Sequence, residues 1–262
     1  MKVLGIIPAR YGSTRFEGKP LVEINGKSMI QRVYEQAKKA KNLSKVIVAT
    51  DDERIFDHVK NFGGEVMMTA KEHQSGTDRC AEVAAMMNLD VVTKSMQYAQ
   101  SFAFDVPREP PFDAVVNIQG DEPFIDPKQI EKVIEILRGG IFPIATLAKT
   151  IDNQEDILNP NIVKAVFTAD GRALYFSRSP IPNLRNSPQY DWAKKGEIFK
   201  HIGLYGYKMQ TLQEIARLAP SRLEQLESLE QLRWLENGYA IGVGQTDLET
   251  IGIDTPEDLL KI

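Results

Sequence analysis

The residues best suited to chemistry begin close to the N-terminus, where three cationic side chains share a short segment with two glycines. Arg10, Arg15 and Lys19 are interspersed there with Gly12 and Gly18. Glycine lets a backbone approach a ligand closely, and free backbone N–H groups beside Arg and Lys side chains suit phosphate oxygens. The segment therefore predicts a polyphosphate-binding loop. It lacks the Walker spacing, however, and a solvated basic loop would have the same composition.

Two adjacent carboxylates form the second candidate. Asp121 and Glu122 follow an apolar run and Gly120, a residue that permits a tight turn. Mg²⁺ prefers one or two carboxylates together with substrate phosphates and water. Asp121 emerges first from the predicted strand and is the better metal-ligand candidate. The alternative is an acidic turn that caps the helix predicted from Pro127.

A third acid, Asp254, precedes a predicted helix start near the C-terminus. Thr255 suits the N-cap of that helix and Pro256 suits its first position, so capping does not require Asp254. Asp254 is then available to a ligand, and two distant aspartates on one metal ion would balance the charge of a triphosphate. Sequence spacing alone does not establish this pairing.

Residues 72–79 predict a polar loop that enters a helix. Gln74 and Ser75 in this loop could hydrogen-bond a base or a ribose. Arg79, one turn into the helix, could reach phosphate or hold the loop by an ion pair. A plain capped turn is the alternative for all three residues.

The elements between these residues must bring them together, and the first half of the chain alternates strand-like with helix-like runs. Strands are predicted at 3–7, 45–49, 65–68 and 114–118, and helices at 28–40, 53–61, 77–87 and 127–138. Such alternation indicates an α/β fold with a mostly parallel sheet flanked by helices, in which ligands bind beyond the carboxyl ends of the strands. The loops that follow Ile7, Ala49 and Ile118 are therefore expected at one edge.

The second half has a different pattern. Strands are predicted at 162–167, 173–176, 201–208 and 240–243, a loop at 179–196, and helices at 209–217 and 223–237. The last helix is predicted from leucines at every third residue. Because neither a linker nor an internal repeat is evident, we expect a single domain over residues 1–262.

The composition is ordinary for a soluble globular protein. Of the 262 residues, 42% are hydrophobic and 26% charged, and the net charge of −4 argues against nucleic-acid and membrane-surface partners. Cys80 is the single cysteine, which excludes an internal disulfide, and a buried apolar role is favoured over a nucleophilic one. His58, His73 and His201 lack the spacing and cysteine partners of a zinc site. With neither a signal pattern nor an apolar span, a cytoplasmic location is expected.

Seven stretches, taken in order, resemble the sugar-acid cytidylyltransferases, and within that family the branch that activates 3-deoxy-manno-octulosonate (Kdo). The match covers residues 1–260, and seven motifs in sequence are very specific. The stretches lie at 8–21, 73–79, 119–123, 174–178, 201–207, 226–233 and 254–259.

The resemblance implies a Rossmann-like fold of the nucleotide-diphospho-sugar transferase type, with a smaller lobe at about 160–210 that binds the sugar and forms a homodimer. It implies Mg²⁺-dependent transfer of CMP from CTP to Kdo, with release of pyrophosphate, for lipopolysaccharide synthesis. Asp121 and Asp254 would hold Mg²⁺ and, with Arg10 and Lys19, form the catalytic set. The residues implied to bind the nucleotide are Arg10, Ser13, Arg15, Lys19, Gln74, Ser75 and Arg79. Those implied to bind Kdo are Gln119, Arg178, His201, Tyr205, Glu230 and Gln231, with Arg178 facing the sugar carboxylate.

One segment departs from the family pattern. Residues 88–112 are longer than the expected connection and carry Phe102, Phe104 and a proline-rich end. We interpret the segment as an added helix and crossing, with a lid or partner-binding role as the alternative. Three other functions remain: a cytidylyltransferase for another sugar acid such as sialic acid, a nucleotidyltransferase for a sugar phosphate, and a catalytically silent nucleotide sensor.

Overall fold

A computed structural model describes residues 1–12, 16–100, 112–249 and 252–261. The strands, numbered in chain order, are β1 Val3–Ala9, β2 Glu23–Ile24, β3 Lys27–Ser28, β4 Lys45–Thr50, β5 Val66–Met68, β6 Ala114–Asn117, β7 Ile144–Thr150, β8 Lys164–Phe167, β9 Ala173–Ser177, β10 Phe199–Lys208 and β11 Ile241–Gln245. The α-helices are α1 Met29–Ala37, α2 Glu53–Asn61, α3 Gly76–Gln100, α4 Pro127–Arg138, α5 Gln154–Leu158, α6 Trp192–Lys195, α7 Met209–Ile215, α8 Arg222–Glu227 and α9 Gln231–Glu236.

The chain divides into two compact units. The first unit contains Met1–Glu131, Lys208–Ala216 and Thr250–Ile262. The second unit contains Lys132–Tyr207 and Arg217–Glu249. It includes residues 160–207 of the lobe expected at 160–210, but it starts earlier and ends later in the chain. The single domain over 1–262 stays a prediction.

The first unit is built on a parallel sheet. Strands β6, β1, β4 and β5 lie side by side in that order and run in one direction. β1 pairs on both sides, and its Val3, Leu4, Ile6 and Ile7 are fully buried, as expected for an apolar strand in the middle of a parallel sheet. The predicted α/β fold with a mostly parallel sheet is confirmed. Because β1 and β6 run parallel, the loops that follow Ala9 and Asn117 leave the sheet at the same edge.

The helices of the first unit follow from capping residues and apolar spacing. Ser28 caps α1 by accepting a hydrogen bond from Gln31 N–H, and Asp52 caps α2 by accepting one from Arg54 N–H. α1 buries residues spaced at three and four positions, which places them on one face; they are Met29, Ile30, Val33, Tyr34 and Ala37.

The C-terminal segment of the chain is anchored in the first unit by apolar packing. Ile253 is fully buried and packs with Ile24 and Met29, and Phe16 and Leu259 contact the same cluster. A short 3₁₀ helix follows at Pro256–Lys261. The packing of Ile253 fixes the position of its neighbour Asp254.

The second unit has a mixed sheet. β11 pairs with β7 in parallel, whereas β7 with β10, β10 with β8 and β8 with β9 are antiparallel. A separate cluster of Ile151, Ile157, Trp192 and Ile198 lies in this unit.

Several predicted elements need correction. The helix predicted at 77–87 continues to Gln100 because residues 88–100 contain neither glycine nor proline to end it. The single helix predicted at 223–237 is wrong: α8 ends at Glu227 and α9 begins at Gln231, because Ser228 adopts a left-handed conformation with φ 52°. β7 and α5 were not predicted.

The long connection at 88–112 is described only in part. Residues 101–111, including Phe102 and Phe104, lie outside the described ranges, as do the side chains of residues 90–100. Its role as a lid or crossing therefore stays a prediction. Among the described residues, none of the helices combines the length and apolar character that crossing a membrane requires.

Candidate active site

A cavity of about 250 Å³ opens at the edge of the first unit where β1 and β6 end. Its lining comes from every motif of the first unit that the sequence analysis singled out. The lining residues are Pro8, Ala9, Arg10, Lys19, Pro20, His73, Gln74, Ser75, Gly76, Arg79, Gln119, Gly120, Asp121 and Asp254.

The two ends of the basic loop are held together by contacts between Tyr11 and Gly18. Gly18 N–H donates to Tyr11 O at 2.9 Å. Gly18 has φ +69°, and a Cβ there would lie 3.2 Å from the Tyr11 ring, so glycine is favoured on two grounds. Arg54 covers the Tyr11 ring at 3.2 Å from its centroid. Arg10 and Lys19 reach the cavity, whereas Ser13 and Arg15 lie outside the described residues.

Lys19 joins two acids that are distant in sequence. Its Nζ lies 2.8 Å from Asp121 Oδ2 and 3.4 Å from Asp254 Oδ1. The Lys19 side chain is 14% exposed, so the ion pairs are shielded from bulk water more than a surface pair would be. The structure therefore brings the two predicted metal ligands and one predicted phosphate ligand to one point.

Backbone contacts hold Asp254 beside Asp121. Ile253 N–H donates to Asp121 O at 2.9 Å. Asp258 Oδ2 accepts from the N–H groups of Asp254 and Thr255, both at 2.9 Å. Asp258 is therefore a positioning residue for Asp254. No sequence pattern marks it, because Thr255 alone suits the N-cap position.

Gly120 sets the depth of the turn that carries Asp121. A Cβ at Gly120 would lie 2.8 Å from Pro8 O, closer than a carbon and a carbonyl oxygen approach without displacement. The backbone of this turn therefore packs directly on the end of β1. Only glycine allows Asp121 to stand next to the basic loop in this geometry.

The neighbouring Glu122 differs from Asp121 in its burial and protonation. Burial, reinforced by the charge of Asp121, raises the pKa of Glu122 to about 8. Within the described part of the chain, no hydrogen-bond partner reaches Glu122 Oε2. Glu122 is therefore mostly protonated at neutral pH, and Asp121 carries the negative charge of this turn.

The loop at 72–79 is organised by its own hydrogen bonds. Ser75 and Asp78 cap each other, since Ser75 N–H donates to Asp78 Oδ2 and Asp78 N–H to Ser75 Oγ, both at 3.1 Å. Arg79 is buried; its Nη2 lies 3.0 Å from Asp51 Oδ2 and its Nη1 donates to Thr69 Oγ1. The ion pair that holds the loop is thus present. The nucleotide contacts of Gln74, Ser75 and Arg79 stay predictions.

His73 lines the cavity and was not predicted as a site residue. Its Nε2 lies 2.6 Å from Glu82 Oε2, which also accepts from Ala70 N–H at 2.9 Å. Burial acts to raise the pKa of Glu82, but these hydrogen bonds and nearby positive charge hold it below the ordinary value. A carboxylate that accepts from Nε2–H orients the His73 ring. His73 lies in the loop before α3 and Glu82 lies on α3, and no recognisable motif links the two residues.

The residues predicted to bind the sugar acid divide between the two units. Gln119 lies in the cavity of the first unit. The other five, Arg178, His201, Tyr205, Glu230 and Gln231, belong to the second unit. Their joint role stays a prediction.

His201 lies among aromatic rings on β10. Its ring centroid is 5.0 Å from that of Phe176 and 5.2 Å from that of Tyr205. Burial lowers the pKa of His201 to about 3, so the imidazole is neutral at physiological pH. Burial and the charge of Glu230 raise the pKa of Tyr205.

The hydrogen bonds of Thr146 indicate the tautomer of His201. The Thr146 hydroxyl lies 3.0 Å from Ile202 O and 2.9 Å from Leu204 O. A carbonyl oxygen can only accept a hydrogen bond, so the single hydroxyl proton is donated to this pair of carbonyls. The hydroxyl oxygen is 2.9 Å from His201 Nε2 and therefore accepts from Nε2–H. Nδ1 is left as a hydrogen-bond acceptor. Thr146 was missed because β7 was not predicted.

Arg178 is engaged with backbone carbonyls. Its Nε donates to Glu227 O at 2.7 Å, Nη1 to Pro160 O at 3.1 Å and Nη2 to Ser228 O at 3.3 Å. A guanidinium has five N–H groups, so two remain for other acceptors. The contact of Arg178 with a sugar carboxylate stays a prediction.

Comparisons with known proteins agree on one family. The family model described as cytidylyltransferase matches residues 4–248. A 3-deoxy-manno-octulosonate cytidylyltransferase of Bacteroides thetaiotaomicron is 52% identical over 99% of this chain and 96% of the relative. The one of Cytophaga hutchinsonii is 48% identical over 100% and 96%.

Solved structures agree with these sequences. A CMP:2-keto-3-deoxy-manno-octonic acid synthetase complexed with CTP is 40% identical, with a TM-score of 0.84 over 100% of this chain and 96% of that chain. A 4-diphosphocytidyl-2C-methyl-D-erythritol synthase from Anaerococcus prevotii has a TM-score of 0.56 over 99% of this chain and 95% of that chain. At 14% identity, this second likeness shows a shared fold alone.

Proposed function

Because the chain belongs to the family of 3-deoxy-manno-octulosonate cytidylyltransferases, we propose that it transfers CMP from CTP to Kdo, giving CMP-Kdo and pyrophosphate. The observation that carries this proposal is the meeting of Lys19 with Asp121 and Asp254 in the cavity of the first unit. Identity of about half the residues over the full chain supports the same substrates, since the relatives bear that activity in their name.

The triphosphate of CTP is bound by the cations of the basic loop. Arg10 and Lys19 line the cavity and supply local positive charge in a protein whose net charge is −4. Gln74 and Ser75 offer short polar side chains for the base and the ribose, at the opening of α3. Arg79 lines the cavity while paired with Asp51, and that pairing keeps the loop at 72–79 in place.

Mg²⁺ fits the acidic side of the cavity. Asp121 and Asp254 present carboxylate oxygens to one point, and Mg²⁺ is usually held by one or two carboxylates plus substrate phosphates and water. Among the described residues, no group of three or more His, Cys, Asp and Glu side chains is placed to hold a metal ion. Asp121 and Asp254 would hold Mg²⁺, which would supply charge neutralisation and polarisation of the phosphoryl oxygens.

Kdo binding is proposed for polar side chains of the second unit: Arg178, His201, Tyr205, Glu230 and Gln231. The role of Gln119, which lines the cavity of the first unit, stays a prediction. Neutral His201, held through Nε2 by Thr146, presents Nδ1 as an acceptor for a sugar hydroxyl. Arg178 keeps two N–H groups for the carboxylate.

The chain's own residues act chiefly through charge and position. The anomeric hydroxyl of Kdo attacks the α-phosphorus of CTP in line and loses its proton to water, and pyrophosphate leaves with the electrons of the broken P–O bond. Arg10 and Lys19 stabilise the negative charge that develops on the phosphate oxygens, a contribution that requires fixed cations in a partly dehydrated site. Asp121 and Asp254 hold Lys19 in position for this role.

A pyrophosphate-release assay tests the proposal. CTP and UTP are each offered with Kdo, sialic acid and a sugar 1-phosphate, with Mg²⁺ present. We expect release with CTP and Kdo, and mass spectrometry should identify CMP-Kdo. Release with sialic acid but not with Kdo would assign the chain to another sugar acid. Release driven by a phosphosugar would overturn the proposal, as would the absence of release with every pair.

The remaining expectations from the family belong to the same proposal. We propose that the protein is a homodimer in the cytoplasm and that its product supplies lipopolysaccharide synthesis. Light scattering after size exclusion should give twice the 29.5 kDa mass of one chain. A monomeric mass at micromolar concentration would contradict the dimer without affecting the assignment of the reaction.

A further inference from the structure

A buried lysine in the second unit has no role in the family assignment above. Lys164, at the start of β8, has an exposed fraction of 0%. Its Nζ donates to three backbone carbonyls: Ile162 O at 2.7 Å, Asn159 O at 2.8 Å and Arg178 O at 3.0 Å. An ammonium group has three N–H donors and accepts nothing. Every proton of the Lys164 ammonium group is therefore committed to the backbone.

The lysine bridges two segments that β8 and β9 place side by side. Lys164 is directly opposite Ser177 in the antiparallel pair, so Arg178 continues the strand just beyond it. Arg178 Nη1 donates to Pro160 O, while Lys164 donates to Asn159 O. The two cations thus hold the same short segment from two sides.

Arg178 also binds the turn between α8 and α9. Its Nε and Nη2 donate to the carbonyls of Glu227 and Ser228, and its own N–H donates to the Glu227 carboxylate at 2.9 Å. The second oxygen of that carboxylate accepts from Ser177 Oγ at 2.6 Å. Glu227 and Ser228 are therefore tied to the end of β9 through both main chain and side chain.

This turn requires external support. Ser228 has φ 52° and ψ 49°, a left-handed conformation that costs an L-residue other than glycine energy. The carbonyls of a helix C-terminus also need partners outside the helix, and Arg178 supplies them. Two residues later the chain reaches Glu230, the N-cap of α9, and then Gln231, the first residue of that helix.

We propose that Lys164 is a positioning residue for sugar-acid binding: through Arg178 it fixes the turn at Glu227–Ser228 and hence the orientation of Glu230 and Gln231. The inference rests on the proposed function for the role of those two residues. Burial and the positive charge of Arg178 lower the pKa of Lys164, which is the expected consequence of placing two cations on one segment. The nucleotide residues Arg10, Lys19, Asp121 and Asp254 all belong to the first unit, so the effect should be confined to the sugar acid.

The test compares Lys164→Met with Lys194→Met, a matched change at a lysine of the same unit whose side chain is 79% exposed. Removing the three donors leaves buried carbonyls unsatisfied. We expect the KM for Kdo to rise about tenfold or more in Lys164→Met and the KM for CTP to stay within about twofold. Lys194→Met should match wild type in both constants. A purely structural role for Lys164 would lower the active fraction and leave both KM values unchanged.

Hydrogen–deuterium exchange gives a readout that does not depend on the substrate. In ligand-free protein, amides of residues 228–231 should exchange faster in Lys164→Met than in wild type and Lys194→Met. Unchanged exchange together with an unchanged KM for Kdo would overturn the inference. If wild type fails to form CMP-Kdo while the exchange result holds, the proposed function has failed and the constraint on the turn has not.

A second variant covers the case in which Lys164→Met does not fold. Glu227→Gln keeps the shape of a half-buried side chain but weakens its bonds to Ser177 Oγ and Arg178 N–H. The same selective rise in the KM for Kdo is expected, with faster exchange at 228–231. A folded Glu227→Gln protein with wild-type constants and wild-type exchange would count against the inference by itself.

Discussion

Lys19 Nζ lies 3.4 Å from Asp254 Oδ1 although 235 positions separate the two residues in sequence. The same Nζ lies 2.8 Å from Asp121 Oδ2. One ammonium group between two carboxylates leaves one net negative charge at the point where a metal ion and a triphosphate are proposed to bind. The arrangement therefore leaves the two acids able to bind a further cation, and it keeps the Lys19 side chain directed into the cavity.

Asp121→Asn and Asp254→Asn should each lower turnover by roughly 100-fold or more, because even outer-shell partners of metal sites contribute 10–100-fold. The amide keeps the shape of the side chain and loses the charge that is proposed to bind Mg²⁺. Activity measured over a series of Mg²⁺ concentrations, with Kdo and CTP saturating, is the direct measurement. Asp57→Asn, at an exposed position of α2, is the matched control and should behave as wild type.

Turnover within about twofold of wild type in either site variant would defeat the metal assignment. A large loss that excess Mg²⁺ fully restores would instead support it. Unchanged melting temperatures should accompany the loss, because Asp121 and Asp254 are partly exposed.

Lys19→Met should raise the KM for CTP and lower turnover, because Lys19 is proposed to bind the triphosphate and because Asp121 and Asp254 lose the cation that pairs with both. A loss of roughly 100-fold in kcat/KM is expected, in the range seen when one charge-stabilising donor is removed. The KM for Kdo should change much less. Steady-state kinetics with each substrate varied in turn measures the split, and Lys39→Met, exposed on the surface of the first unit, is the control.

Elements whose apolar spacing agrees with their packing were predictable. α2 and α4 have the predicted bounds because each has a clear cap or initial proline and one apolar face. The break at Ser228 was not predictable, because the leucine pattern continues across it. Leu229 and Leu232 are buried but Leu226 is 69% exposed, and the partners that stabilise the break, Arg178 and Glu227, come from tertiary contacts.

The candidate site likewise contains some residues whose positions could be predicted from the sequence and others whose positions could not. The cavity residues from 8 to 121 follow strands or begin a helix, so the edge that they share could be inferred from topology. The convergence of Asp254 depends on the burial of Ile253 against Ile24 and Met29, which no local pattern marks. Thr146 and His73 were missed for a related reason: no local motif links Thr146 to His201 or His73 to Glu82, the residues that they contact.

Gly120→Ala adds only one methyl group, but it should reduce activity substantially. The added Cβ would stand 2.8 Å from Pro8 O, so the turn must move and Asp121 must shift away from Lys19. We expect turnover to fall by about tenfold or more, since small displacements of reacting groups are costly. Gly252→Ala is the matched control, because a Cβ there meets nothing within 4 Å. Equal kinetics in the two variants would show that the close approach to Pro8 has no role in placing Asp121.

His201 should stay neutral throughout the physiological range. Its pKa of about 3 in the folded protein lies below the ordinary value of about 6.5 that it regains on unfolding. Between these values the unfolded chain binds one more proton, so stability rises with pH across this window and is lost as pH falls through it, by up to about 1.4 kcal/mol per pH unit. Urea unfolding between pH 4.5 and 7.5 should show this slope in wild type and a smaller slope in His201→Gln, whose amide can still donate to Thr146. NMR of the labelled His201 ring supplies the direct check: a chemical shift that titrates with a midpoint near 6.5 would mean that the imidazole is hydrated and that its Nδ1 is not a dedicated acceptor.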